Sequence, residues 1–184
     1  MRLRARTELG HIQPLDSVER AHLHDAMAWV DSGAPLFRVA KPAVPPKHLV
    51  SYFAVVSDRQ ILLVDHKNAQ LWLPTGGHVE ADEDPRRTVV RELREELGLL
   101  LPIEAVGPPV MVTVTETVGL TAGHTDVSLW YVVKGDQSAV LKYDEDEFND
   151  VRWFAFDQVP LARSDPHLGR FLTKLSRADS SVRR

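Results

Sequence analysis

Apolar residues recur along this chain in two rhythms, and the change between them marks out its parts. From Leu15 to Ser32, Val18, Ala21, His22, Met27, Trp29 and Val30 are interleaved with Asp16, Glu19, Arg20 and Asp25, and Gly33 stands where a stop belongs. This predicts one amphipathic helix over 15–32. Pro42, Pro45 and Pro46 follow within five residues. They exclude helix and central strand, so 37–48 is expected to be an extended connector, with a domain boundary near residue 47. Beyond it the rhythm shortens. The runs 49–56 and 61–66 are β-rich and separated by Ser57, Asp58, Arg59 and Gln60, which suits a hairpin. A third extended piece, 71–74, ends at Pro74 and the pair Gly76-Gly77. The helical period returns most strongly over 85–97, between Asp84-Pro85 and Gly98. Further strands are expected at 110–118, 127–133 and 151–156. In the first of these Val110, Val112 and Val114 alternate with Met111, Thr113 and Thr115, the pattern of a half-buried strand. A last helix is expected over 165–176, with Pro166 in its first turn and Leu168, Phe171, Leu172 and Leu175 on one face. Residues 179–184 are expected to form a frayed tail. The patterning gives an α/β fold, a mixed sheet with helices on its faces, in a domain spanning 48–178 after an N-terminal helix and connector at 1–47.

Composition narrows the function more than the fold. The 184 residues hold no cysteine, which excludes a disulfide framework, a thiolate nucleophile and a thiolate-bound zinc. No apolar run approaches the roughly 18 residues that cross a bilayer. MRLRARTELG is basic but lacks an apolar stretch behind it, so it does not resemble a secretory signal and the expected compartment is the cytoplasm. The net charge of −4 argues against a stable nucleic-acid partner, and nothing points to a membrane. It leaves room for a small polyphosphate held through bound cations.

The chemistry is concentrated in the helix at 85–97. At about 100° per residue, Val89, Val90, Leu93 and Leu97 form a buried stripe, and Glu92, Glu95 and Glu96 cluster on the neighbouring arc. Three carboxylates at that spacing repel one another by a few tenths of a kcal/mol per pair. A hard divalent cation would compensate them, and so could Arg91 and Arg94 on the same helix. Taken by itself, the helix reads first as an ordinary solvated acidic face.

The wider spacing decides between these. Gly77, five residues, Glu83, seven residues, Arg91, Glu92, Leu93, one residue, Glu95, Glu96, one residue, Gly98 and Leu99 fill every specified place of the Nudix box, so the chain resembles the Nudix hydrolase family. The resemblance extends through LWLPTGGHVE and DVRWFAFDQVP and covers roughly residues 48–160. It implies an α/β/α sandwich around a mixed sheet, with an extra N-terminal helix in this chain. It implies a Mg²⁺-dependent hydrolase, with Mn²⁺ a substitute, that opens the diphosphate linkage of a nucleoside diphosphate joined to another moiety, or a nucleoside triphosphate, with water. By the same resemblance Glu92, Glu95 and Glu96 are metal ligands, with the carbonyl next to Gly77 a further oxygen ligand. Arg91 orients a carboxylate, and Glu83 pairs with Arg91 or supports a water network. Glu147, in the run Asp144-Glu145-Asp146-Glu147, is the candidate extra acid, and the general base lies between Glu95 and Glu147. The alternatives on the same fold are a binding module without turnover and an isoprenoid diphosphate isomerase. The complete set of box glutamates speaks against the first, and the absence of cysteine against the second.

Outside the box the signals are weaker. His124 and Asp126 stand at a strand start and could face the substrate, although a histidine there is also an ordinary capping residue. Arg38, Lys41 and Lys47 could reach substrate phosphates or only keep the connector solvated, and the same choice holds for His66 and Lys67. His78 is near the acids by position but fills no specified place. Trp29 and Trp72 could stack a base, yet a Trp on such elements is usually core. The N-terminal helix also offers a surface for a homodimer.

Overall fold

A computed structural model describes residues 1–41, 44–117 and 122–182, with side chains as far as 178. Residue 118 of the strand expected at 110–118, Pro42, and Arg183 and Arg184 of the expected tail lie outside the described residues.

The chain begins with two helices, α1 (Arg2–Gly10) and α2 (Ser17–Asp31). Only α2 follows from the apolar rhythm, and Asp16 caps it by accepting from the Val18 and Glu19 amides. Two of its expected apolar positions, Val18 and Ala21, are corrected as exposed. The buried face is carried by Ala26, Val30 and the carboxylate of Glu19, which is bonded to Lys174 at 2.6 Å. Seven strands follow: β1 (Lys47–Ser57), β2 (Gln60–His66), β3 (Leu71–Leu73), β4 (Thr75–His78), β5 (Met111–Glu116), β6 (Thr125–Lys134) and β7 (Phe148–Ala155). Helix α3 (Pro85–Leu97) lies between β4 and β5, and α4 (Leu168–Val182) ends the fold. Pro166 thus precedes α4 rather than opening it, and the helix runs into the segment expected to be a tail.

The strands form one sheet in the order β3-β2-β1-β6-β5, with β4 paired to β1 and β7 to β2. β1 and β6 are parallel, with Val50 opposite Ser128, and the remaining pairings are antiparallel, so the sheet is mixed. Side chains alternate across β1. Leu49, Phe53 and Val55 join a core with Leu9, Ala26 and Val30 of the first two helices and Val89, Leu93 and Leu97 of α3. Ala54 points the other way, into a core with Trp72, Trp130, Phe171 and Leu172. Three helices therefore cover one face and α4 the other, an α/β/α sandwich. This also corrects the half-buried reading of β5: Met111 packs on the α4 side and Val112 on the α2 side, and both are buried. Trp72, with Phe154 against its ring at 5.0 Å, is core as well. Among the described residues, no helix is long and apolar enough to cross a membrane.

Helix α1 escaped the patterning because only Ala5, Glu8 and Leu9 of its residues are buried. Its anchor is ionic. Arg86 of α3 grips Glu8 through Nε at 3.1 and 3.2 Å and Nη2 at 2.9 Å, and the Tyr131 hydroxyl donates to the same carboxylate at 3.3 Å. A buried carboxylate so partnered fixes the helix where a narrow apolar face could not.

Candidate active site

Helix α3 is built to hold a particular orientation. The Asp84 side chain accepts from the Arg86 amide at 3.0 Å, Pro85 occupies the first turn, and Gly98 closes the helix at φ +67°. Its apolar stripe, Val89, Leu93 and Leu97, lies in the core, which turns Glu92 and Glu96 toward β4 and the loop before β7 and leaves Glu95 exposed beside them. On β4, Gly77 leaves no room for a side chain, since a Cβ there would sit 1.8 Å from Glu92 Oε1. The box glycine is therefore required by close approach and not by an unusual φ. Replacing Gly77 with Ala is expected to push the Glu92 carboxylate aside and to lower turnover by roughly 10- to 100-fold, the scale seen when ligand-orienting contacts are lost. Steady-state kinetics beside an unchanged far-UV spectrum would check this.

Arg91 ties the acids together. Its Nε and Nη2 reach the two oxygens of Glu83 at 3.0 and 3.1 Å, and Nη1 reaches Glu92 at 2.6 Å and Glu95 at 3.2 Å. Nη2 also donates to the His78 carbonyl at 3.2 Å, joining α3 to β4. Burial pushes the Glu83 carboxyl up, but hydrogen bonds from Arg91 and from Thr88, at 2.8 Å, carry it below the ordinary carboxylate range. Of the two roles weighed for Glu83, the pairing with Arg91 is the one the geometry displays.

The other acids are held without enough positive charge. Burial raises Glu92, opposed by Arg91 and reinforced by Glu95 and Glu147. Glu96 is 8% exposed and is raised well above the ordinary range by burial and then by Glu92 and Glu147, against one amide hydrogen bond from Gly76. One of its oxygens, Oε2, is buried without a hydrogen-bond partner among the described residues. Glu147 stands on the loop before β7. That loop is tied to the end of α3 by the Lys142 amide on the Leu97 carbonyl at 3.1 Å and the Asp144 amide on the Glu96 carbonyl at 3.0 Å. The loop acid that the sequence left balanced against a surface role thus lies within electrostatic reach of Glu92 and Glu96. An all-oxygen set with a bare buried oxygen and surplus negative charge suits a hard divalent cation.

A model of the NUDIX domain matches residues 47–175. The chain belongs to the NUDIX family. A MutT-like protein of Streptomyces ambofaciens is 28% identical over 141 residues, 76% of this chain and 84% of that protein. A crystal structure of a MutT NUDIX hydrolase from Burkholderia pseudomallei, 28% identical, matches 62% of this chain and 87% of its own with a TM-score of 0.51. The solution structure of the E. coli ORF135 protein, 25% identical, matches 77% and 97% with a TM-score of 0.57. The protein is a Nudix hydrolase, of pyrophosphohydrolase type, and the family generally uses a divalent metal.

The remaining sequence-derived candidates of this Nudix hydrolase divide. Arg38 is half-buried and within electrostatic reach of Asp126 and Glu92. Lys47 is engaged elsewhere, bonded to Asp25 of α2 at 3.0 Å with its ammonium over the Trp29 ring. Lys67 donates to the Glu145 carbonyl, and His66 meets the edge of Phe148. His124 and Asp126 face each other at 3.4 Å, in a group that includes His48 and His78. Burial, together with Arg38, pushes the His78 imidazole down to about 3, and burial lowers His124 too. His48 went unnoticed in the sequence because a lone histidine at a strand start carries no periodic signal.

Proposed function

We propose that this enzyme hydrolyses the diphosphate linkage of a nucleoside diphosphate joined to another moiety, or of a nucleoside triphosphate, in a Mg²⁺-dependent reaction that Mn²⁺ also supports. The observation that carries this is the convergence of Glu92, Glu95 and Glu96 on one turn of α3, beside Gly77 and facing Glu147, with a buried oxygen of Glu96 unpartnered. Glu92, Glu95 and Glu96, with the backbone carbonyl beside Gly77, would hold the metal. When bound, the metal neutralises phosphate charge and lowers the pKa of an attacking water.

The chain's own residues divide the rest of the work. Arg91 clamps Glu92 and Glu95, and Glu83 clamps Arg91, so the acids present one geometry to the substrate. Arg38 supplies the positive charge that meets a phosphate oxygen. In hydrolysis the water oxygen forms a bond to one phosphorus and the bridging P–O bond breaks. One water proton passes to a carboxylate, and the leaving phosphate departs as an anion. The receiving carboxylate is an exposed one at the rim, Glu95 or Glu147, because a base has to be reachable by water and free to shed its proton afterwards. The substrate-handling unit is centred on the domain beginning near residue 48, with residues 1–47 packed onto its core and contributing Arg38.

Incubation of the protein with Mg²⁺ and a panel of nucleotide sugars, ADP-ribose, dinucleoside polyphosphates and nucleoside triphosphates tests the proposal. The expected result is cleavage of at least one class into two phosphorylated products, abolished by chelator and restored by Mg²⁺ or Mn²⁺. Failure to cleave any member would overturn it.

A further inference from the structure

The imidazoles of His48 and His124 stack at 4.8 Å between ring centroids, and the His78 ring lies 4.6 Å from His48. Their Nε2 atoms surround one carboxylate oxygen, Asp126 Oδ1, at 3.2 Å for His48, 3.4 Å for His124 and 3.8 Å for His78. The sheet brings them together. His48 on β1 is level with Asp126 on β6, Val50 is level with His78 on β4, and His124 immediately precedes β6. By strand alternation these positions lie on the opposite sheet face from Ser51, which bonds the Pro85 carbonyl of α3. The group therefore approaches from the other face of the strands, close enough to the box acids that Arg38 is within electrostatic reach of both Asp126 and Glu92.

Hydrogen bonding sets the protons. His48 Nδ1 lies 2.9 Å from the Pro45 carbonyl, which can only accept, so Nδ1 carries the hydrogen and a neutral ring has a bare lone pair on Nε2. His124 Nδ1 is 3.2 Å from Thr117 Oγ1, a hydroxyl that also lies 3.2 Å from the His124 carbonyl, and His124 Nε2 faces Asp126 at 3.4 Å. His48 is fully buried and His124 nearly so. The Nε2 atoms of His48 and His78 and Oδ1 of Asp126 are buried without hydrogen-bond partners among the described residues. Lone pairs facing a carboxylate across about 3 Å, out of water, repel unless a cation stands between them.

We propose that His48, His78, His124 and Asp126 form a second metal site, for a borderline divalent transition-metal ion of the zinc class, separate from the box acids. Imidazole nitrogen suits such ions better than it suits Mg²⁺. The ligand atoms all lie within 4.8 Å of one another. A tetrahedral zinc with bonds of about 2.0–2.1 Å needs separations of roughly 3.4 Å, so the widest pair has to close by a little over 1 Å. Nδ1 bonds to a backbone carbonyl and a hydroxyl are the outer support that metal-bound histidines ordinarily have. Four protein ligands leave no open position, so the ion is structural. It ties the ends of β1, β4 and β6 together and fixes His78, whose carbonyl receives Arg91.

The test uses the full chain, stripped with chelator and titrated with Zn²⁺ and separately with Co²⁺. The expected result is one equivalent bound, tetrahedral Co²⁺ absorption bands in the visible, and a Tm raised by Zn²⁺. His78→Ala and Asp126→Asn, at the two half-exposed ligands, are expected to weaken uptake at least 100-fold and to remove the Tm response. Glu92→Gln and Glu96→Gln are expected to retain both. Lack of stoichiometric uptake, or uptake lost with the glutamates and indifferent to His78 and Asp126, would overturn the site, leaving a protonated histidine–aspartate cluster.

Discussion

Replacing Glu96 with Gln is expected to remove at least 10³-fold of the Mg²⁺-dependent turnover while leaving Tm unchanged or raised. The two halves of this result have one cause. Glu96 is a charge held out of water, beside Glu92 and Glu147 and with one oxygen unpartnered, a costly arrangement for the protein alone. Gln has the same shape and no charge, so the fold loses a repulsion and keeps an amide able to accept from Gly76. What it loses is a hard anionic ligand. Metal stabilisation of the transition state is worth several kcal/mol, and about 4 kcal/mol corresponds to roughly 10³-fold in rate. Paired measurements of kcat and of thermal unfolding would check it. A Glu96→Gln protein that kept most of its rate, or that unfolded markedly earlier, would show that this carboxylate is structural.

Arg91→Ala is expected to fail in both respects. Its guanidinium makes the one hydrogen bond to the Glu92 side chain seen among the described residues, and it also serves Glu83, Glu95 and the His78 carbonyl. Removal leaves Glu83 and Glu92 as partly buried unpaired charges. Breaking a fully buried pair costs about 3–5 kcal/mol. Arg91 is about a quarter exposed, so a discounted loss of roughly 2–3 kcal/mol is expected, seen as a fall in Tm of about 5–10 °C for a chain of this size. Turnover is expected to fall by at least 10- to 100-fold, since the ligands lose their common clamp. Arg91→Lys keeps the charge but not the planar fork that grips both oxygens of Glu83, and is expected to recover stability better than rate. Equal rates in Arg91→Lys and the parent enzyme would contradict the clamp.

Much of this was visible in the sequence where a periodic or fixed spacing carried it. The helix at 85–97 announced itself through Asp84-Pro85, Gly98 and the stripe of Val89, Leu93 and Leu97, and the acids fell on its flank by the helical period. Strand β4 was hidden because Thr75–His78 is four residues with two glycines, and its pairing partner, β1, is what makes it a strand. Helix α1 was hidden because its buried anchor is Glu8, and a carboxylate in a polar stretch looks solvated until Arg86 and Tyr131 are seen around it. The histidine cluster was legible only in part. His124 and Asp126 stood out at a strand start, but the level register of His48 with Asp126 depends on a parallel pairing between strands far apart in sequence. The fate of Lys47 was equally non-local, since Asp25 and Trp29 on α2 decide it.

On the proposed reading, Glu92, Glu95 and Glu96 gather around a divalent ion beside Gly77. Crystals of the full chain grown with Mn²⁺, examined by anomalous scattering at the manganese edge, test it most directly. The expected result is a peak within bonding distance of those carboxylates, lost in Glu96→Gln. Manganese that binds only elsewhere, with the three side chains splayed into solvent, would contradict it.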